Sequence, residues 1–301
     1  MKKVLVLTRF RGEYEPQRIK NEALELGFEA DIVNYDKVVV KTEQNGEVVD
    51  IKTGRELYEY DLIVPRASSA KGKRSSLEIK NKILKSLTFD QVRRKVLNGN
   101  SFVKYPLLGK LEQGLILKQH GLPAVDFESF EAENWSEYLQ QPHHFPMIVK
   151  MRFGSHGKNV RLVEDEEQLL KVAKKFNWGA ILIQPVIKVR RWYRVIFLGG
   201  EILGVMKHRQ KDKYKTEKLK EETKKIKPSF SDDQLTELKN ICIKASKLFN
   251  CDYAGLDVAW DENKGNWVIW EINRTAQFKW FEKANPEINV ARAICLWGER
   301  E

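Results

Sequence analysis

The sequence predicts an α/β protein that becomes α+β in its C-terminal part. Three observations carry this. Val4-Leu5-Val6-Leu7 is a short apolar run followed by a helical stretch and a second strand, which is a βαβ beginning. Strand-like and helix-like segments then alternate through the middle of the chain. Two strand pairs joined by turn-forming residues follow in the C-terminal third. With 301 residues, 42% of them hydrophobic, the chain can bury a full core and divide into about two domains.

Taken in order, Pro16 to Leu26 reads as the first helix, closed by Gly27, and Ala30-Asp31-Ile32-Val33 as the second strand. Gly12 is the only glycine in the first turn, so the Gly-x-Gly-x-x-Gly dinucleotide fingerprint is missing. Tyr60 to Arg66 is another strand, ended by proline, and Ser75 to Leu87 a helix. The pattern breaks around Ser101 to Pro106, where a second unit begins with a helix from Leu111 to His120, ended by Gly121-Leu122-Pro123. Strand Phe145 to Lys150, the glycine loop Gly154-Ser155-His156-Gly157, strand Asn159 to Val163, helix Glu166 to Phe176 and strand Ala180 to Gln184 follow. Tyr193 to Leu198 and Glu201 to Met206 form a hairpin turned at Gly199-Gly200. Ser231, with Gln234 three residues on, caps a helix whose buried stripe is Leu235, Leu238, Ile241, Ala245 and Leu248.

Composition excludes more than it selects. No apolar stretch approaches a membrane span, and the apolar run after Lys3 is too short for a signal peptide. Cys242, Cys251 and Cys295 are odd in number and lack metal-ligand spacing, so free thiols in a reducing cytoplasm are expected. A net charge of +11 suits acidic partners such as nucleotide phosphates, carboxylate substrates or nucleic acid. No zinc-finger, helix-turn-helix or aromatic RNA-binding pattern accompanies it, which makes nucleic acid the minority reading. Much of the excess lies between Lys207 and Lys227, where nine lysines alternate with four acids in a solvated segment.

The chemistry concentrates in the last hairpin. Leu256 to Trp260 and Trp267 to Asn273 are β-prone runs around a turn-rich segment, so Glu271 and Asn273 share a face and Asp257 falls opposite or next to Glu271. Like charges across two strands destabilise a sheet unless something positive lies between them. Two carboxylates and an amide oxygen suit Mg²⁺. Acidic residues beside a hairpin can also simply face water, so the cluster alone leaves both readings open. Lys150 ends an apolar strand just before the Gly154–Gly157 loop, an order in which backbone N–H groups and a lysine can surround phosphates; a plain β-turn fits the same residues. His156 within it reads first as a loop residue.

Read together, Phe145-Pro-Met-Ile-Val-Lys150, Gly154-Ser-His-Gly157, Gln184-Pro185-Val186-Ile187, Tyr193-Arg194-Val-Ile-Phe, Asp252-Tyr-Ala-Gly255-Leu-Asp257 and Glu271-Ile-Asn273 resemble, in order, the ATP-grasp ligases. The likeness is to the RimK-type branch, which is similar to bacterial glutathione synthetases, and it covers nearly the whole chain. It implies an ATP-grasp fold behind a Rossmann-like pre-ATP-grasp domain at residues 1–105. The ATP-grasp domain would span 106–301, with a small lobe to about 186 and a large lobe from about 187.

The resemblance also implies roles. Lys110 and Lys150 would contact ATP phosphates under the Gly154–Gly157 loop, and Gln184 to Ile187 would offer backbone to adenine. Asp257, Glu271 and Asn273 would hold Mg²⁺, with Mn²⁺ as a substitute, and Arg209 and Arg194 would steady the transferring phosphoryl group. Arg66 and Arg274 would meet an acidic substrate. The implied reaction makes an acyl phosphate from a carboxylate and ATP, then an amide with an amine, joining an amino acid to a small molecule, peptide or protein terminus. Three departures stand out. Trp192 replaces the Asp of the family's Asp-x-Arg, no glycine pair follows Arg209, and Arg274-Thr275-Ala276 replaces Ser-Pro-Gly. A nucleotide-binding module without turnover, a basic nucleic-acid-associated protein and a homo-oligomer all stay open.

Overall fold

The computed structural model describes residues 1–40, 48–50, 56–66, 74–89, 95–152, 159–187, 189, 191–209, 230–262 and 264–299. The Gly154–Gly157 loop and the lysine-rich segment from 210 to 227 therefore lie outside the described residues.

The first sheet is parallel, in the order β2 (Glu29–Asn34), β1 (Lys3–Thr8), β5 (Leu62–Pro65), β6 (Lys95–Val96). A small hairpin of β3 (Val38–Val40) and β4 (Val48–Asp50) stands beside it. An unbroken apolar strand is what a parallel sheet covered on both faces requires, and Val4 to Leu7 are all fully buried. Leu5 and Leu7 pack with Ile83, Leu84 and Leu87 of α2 (Arg74–Phe89). Val4 and Val6 pack on the opposite side with Ile19 and Ala23 of α1 (Tyr14–Glu25). That second layer is completed from the far end of the sequence. Ile294 and Cys295 of α9 (Val290–Trp297), and Phe278 and Phe281 at and in α8 (Lys279–Ala284), belong to the same core. Gly27, at φ +78°, ends α1 in the left-handed conformation that glycine adopts at least cost.

After α3 (Gly99–Lys104) and α4 (Lys110–Gln119) comes an antiparallel sheet in the order β7 (Glu128–Glu131), β10 (Ala180–Pro185), β8 (Met147–Met151), β9 (Val160–Val163). One face is packed by α5 (Trp135–Tyr138) and α6 (Glu166–Lys175): Met147, Val149, Met151, Ile181 and Ile183 meet Trp135, Leu169 and Val172. Period-two alternation therefore puts Ile148, Lys150, Leu182 and Gln184 on the opposite face.

The third sheet is also antiparallel, in the order β12 (Glu201–Arg209), β11 (Arg191–Leu198), β13 (Tyr253–Asp261), β14 (Asn266–Asn273). Gly199 and Gly200 both have positive φ in the β11–β12 turn, as a two-residue hairpin demands. One face is covered by α7 (Asp232–Leu248), which begins with the expected Ser231–Gln234 capping box and buries Leu238, Ile241, Cys242 and Ala245 against Tyr193, Val195, Leu256 and Trp267. The other face carries Arg194, Asp257, Glu271 and Asn273. All three cysteines are buried and free; burial alone lifts the Cys242 thiol, and with it foremost the Cys251 thiol rises to about 11. Among the described residues, no helix is long and apolar enough to cross a membrane.

Candidate active site

A single irregularity in β14 builds the site. From Asp261 opposite Asn266 to Val258 opposite Ile269, the hairpin pairs residue for residue; the next pair is Asp257 with Glu271. Trp270 is the extra residue of a β-bulge. Straight pairing would put Trp270 opposite Asp257 and turn Glu271 toward the packed face. With the bulge, Trp267, Ile269 and Ile272 all keep to the α7 side, while Glu271 and then Asn273 take the opposite face. The two carboxylates thus face each other as the sequence predicts, through a device the sequence does not announce.

β11 extends the row. Arg194 lies opposite Asp257, donating from Nε to Oδ1 at 2.5 Å and from Nη2 to Oδ2 at 3.1 Å. Burial works against the guanidinium's charge, but the Asp257 carboxylate beside it holds its pKa above the ordinary value. On the outer side, Lys110 at the start of α4 reaches Glu271 Oε1 at 3.1 Å. The order across the face is cation, anion, anion, cation. Local repulsion between the two carboxylates is balanced by the protein's own side chains.

Lys110 is placed by a neighbour that sequence reading misses. Gln113, one turn along α4, is buried. Its Oε1 accepts from the Ile272 amide at 2.8 Å and its Nε2 donates to the Ile272 carbonyl at 3.0 Å. It acts on the outer edge of β14 as another strand would, and Ile269 N–H donates to Pro123 O at 2.7 Å beyond it. On the same helix Glu112 pairs with Arg152, the residue after β8. One short helix therefore ties the sheet that carries Lys150 to the row that carries Glu271.

The remaining expected residues fall as follows. Lys150 is buried on β8 opposite Leu182, on the face it shares with Gln184. The strand expected from Ala180 to Gln184 runs to Pro185, which has no N–H to continue a ladder, so of the residues expected beside adenine Gln184 and Pro185 end the strand and Val186 and Ile187 lie just beyond it. Asn273, opposite Gly255, accepts the Thr275 N–H at 2.9 Å and the Thr275 hydroxyl at 3.3 Å on its Oδ1. Gly255 has to be glycine, because a Cβ there would come within 2.4 Å of the Ala276 Cβ. Arg209 closes β12 opposite Arg191, and its side chain is outside the described residues. Arg66 and Arg274 bond to backbone carbonyls rather than to the carboxylates of the row. Arg66 donates to Ala276 O at 2.8 Å, and Arg274 to Ser101 O at 2.7 Å. Next to the charged row, Trp192 stacks flat on His208 at 3.8 Å, with Trp270 tilted 6.2 Å away.

Two carboxylates and an amide oxygen are an all-oxygen donor set of the kind Mg²⁺ and Mn²⁺ take. Among the described residues, no group of three or more His, Cys, Asp or Glu side chains converges on a point. Asn273 would complete such a set, with Arg194, Lys110 and Thr275 now on the oxygens a metal would take.

Comparison with known proteins places the chain in a family. Residues 1–78 match the RimK PreATP-grasp domain and residues 110–297 the RimK-like ATP-grasp domain. A probable alpha-L-glutamate ligase of Legionella pneumophila (strain Corby) is 22% identical over 303 residues, covering 99% of this chain and 96% of its own. Among solved structures, the ATP-grasp ligase PsnB with minimal precursor, Mg and ADP superposes with a TM-score of 0.71 at 16% identity, over 98% of this chain and 97% of that one. The macrocyclase MdnC from Microcystis aeruginosa MRC, bound with precursor peptide MdnA, gives 0.70 at 17% identity, over 99% and 100%. The fold is ATP-grasp behind a pre-ATP-grasp domain, and with a match running from Lys110 to Trp297, well over half its length, the chain belongs to the RimK-like ATP-grasp family.

Proposed function

We infer that this chain is an ATP- and Mg²⁺-dependent carboxylate–amine ligase acting through an acyl phosphate. The observation that carries the reading is the Arg194–Asp257–Glu271–Lys110 row, two acids held face to face by two cations. In-line phosphoryl transfer needs positioning and charge neutralisation more than a nucleophilic side chain, and this row offers both. Asp257, Glu271 and Asn273 would hold the metal, which supplies charge neutralisation at the polyphosphate; Mn²⁺ would serve in its place. Lys110 would move from Glu271 to phosphate oxygens, Lys150 and the Gly154–Gly157 loop would flank them, and Gln184 to Ile187 would border adenine. Arg194 and Arg209 would stabilise the charge of the moving phosphoryl group.

The substrate carboxylate oxygen attacks the γ-phosphorus and ADP leaves. The amine nitrogen then attacks the acyl carbon, phosphate leaves, and the amine gives up a proton. PsnB and MdnC were each solved with a precursor peptide, which favours a peptide as one substrate. The chain's net charge of +11 favours an acidic one. We place the pre-ATP-grasp domain at residues 1–105 and the ATP-grasp domain at 106–301, and the cytoplasm is the compartment that three buried free thiols suit.

The test is ADP release with Mg²⁺, pooled amino acids and acidic peptides, with hydroxylamine to trap the acyl phosphate. Acid-dependent ADP release and a hydroxamate product are expected. The flat Trp192–His208 stack, at the position where the family pattern has an acid, favours a second reading as a nucleotide-binding module without turnover. Tight ATP binding with no acid-dependent ADP release would select it.

A further inference from the structure

Behind the segment that follows Asn273, three cations gather where the first domain meets the third sheet. Arg66 stands at the C-terminal end of β5, Lys80 on α2, and Arg274 directly after Asn273. Arg66 is 3% exposed and Lys80 6%. The Lys80 ammonium lies 4.5 Å from the centre of the Phe102 ring and 5.8 Å from that of Tyr35, and the Arg274 guanidinium lies 4.3 Å from the same Phe102 ring. Arg66 is held over Tyr253 and Phe278 at 6.0 and 5.6 Å.

Aromatic faces soften the burial of a cation without neutralising it. Burial first, and then the charges of Arg274 and Arg66, bring the Lys80 pKa down to about 7. Among the described residues, no carboxylate pairs with Arg66, Lys80 or Arg274. Glu15, whose charge is felt at the neighbouring Tyr253, turns its Oε1 to the amides of Phe278 and Lys279. Two polar atoms of the cluster are buried with no hydrogen-bond partner, Arg66 Nη1 and the Tyr35 hydroxyl. Buried donors that stay unsatisfied are rare, and these belong to side chains of one cluster that carries only positive charge.

We propose that Arg66, Lys80, Arg274 and Tyr35 form a subsite for a substrate carboxylate other than the one that is activated, so that the substrate is an acid with at least two carboxylates. A carboxylate only accepts hydrogen bonds, and Arg66 Nη1, Lys80 Nζ and the Tyr35 hydroxyl are the donors it would take. Arg66 is bonded to Ala276 and Arg274 adjoins Asn273, so an acid anchored here lies beside the segment that carries a metal ligand. The role of that acid rests on the ligase reading; its binding does not. Its source is either a small dicarboxylic acid or the side chain of an acidic peptide.

The test titrates the full chain, without nucleotide, with glutarate and with an end-capped peptide bearing a single glutamate. Heat is read at pH 8 in two buffers of different ionisation enthalpy. The wild type should bind at least one probe with net proton uptake, because an anion beside Lys80 restores its charge. Lys80→Met should bind at least tenfold more weakly, without proton uptake, yet melt at a higher temperature in the absence of acid. Tyr35→Phe, which keeps every charge, should weaken binding by a smaller factor. The probe bound more tightly identifies the source. Equal binding by wild type and Lys80→Met, or no binding of either probe with or without a nonhydrolysable ATP analogue, overturns the subsite. A wild type that binds these acids but not ATP would sink the ligase reading and leave the subsite standing.

Discussion

Arg194 and Asp257 face each other across β11 and β13 and meet through two parallel hydrogen bonds, in the geometry that pairs a guanidinium fork with a carboxylate. Any metal at Asp257 has to compete with that fork. Replacing Arg194 with Met should leave the partly buried carboxylate unpaired and destabilise the metal-free protein by about 2 kcal/mol. Mn²⁺ should then raise the melting temperature of Arg194→Met more than that of the wild type. Equal shifts in thermal melts would show that Asp257 is not a ligand.

Trp270 is the extra residue of β14. Deleting it should remove the bulge and join Glu271 directly to Ile269, so that straight pairing keeps Glu271 opposite Asp257 on the face away from α7. The deletion variant and Trp270→Leu should both retain nucleotide-dependent Mn²⁺ binding, read by electron paramagnetic resonance, whereas Glu271→Ala should lose it.

Lys80 gives stability a pH dependence of definite sign. Its folded pKa of about 7 lies below the ordinary 10.5, so from about pH 7 to 10.5 the unfolded chain binds more protons and stability rises with pH. Below that window both states are protonated and the penalty is fully present. Between pH 7 and 9 the wild type should gain up to about 1.4 kcal/mol per pH unit relative to Lys80→Met. Parallel urea midpoints for the two proteins across that range would refute it.

Asn98 joins the first domain to the third sheet. Its Oδ1 accepts the amides of Asp252 and Tyr253, and its Nδ2 donates to the carbonyls of Tyr253 and Arg274 at 2.7 and 2.8 Å. Its φ of +61° is one that asparagine tolerates and most residues resist. Asn98→Ala should cost about 3 kcal/mol in chemical denaturation. Hydrogen exchange should show the loss first in β6, α3 and the strand end at Tyr253.

What the sequence discloses and what it hides follow from the range of the interactions. The βαβ start, the Gly199-Gly200 turn, the Ser231 cap and the hairpin that brings Asp257 near Glu271 depend on residues close in the chain, so each is readable. Gln113 bonding Ile272, Asn98 bonding Tyr253 and α9 covering β1 join residues more than a hundred positions apart, and no local pattern marks them. The bulge at Trp270 is local, yet invisible: a tryptophan between Ile269 and Glu271 reads as ordinary strand, and only the pairing exposes the extra residue. Lys80 reads as a surface helix lysine, because nothing beside it says that Tyr35 and Phe102 will enclose it.

The layer that Val290–Trp297 places over Val4 and Val6 orders events during synthesis. The strand at Lys3–Thr8 and the helix that follows it leave the ribosome well before α9, so until α9 emerges one side of their sheet is covered by α1 alone, and the amino-terminal unit has to remain compact with an unfinished surface or rely on a chaperone meanwhile. Truncation before Val290 would thus strike the half of the molecule that is made first.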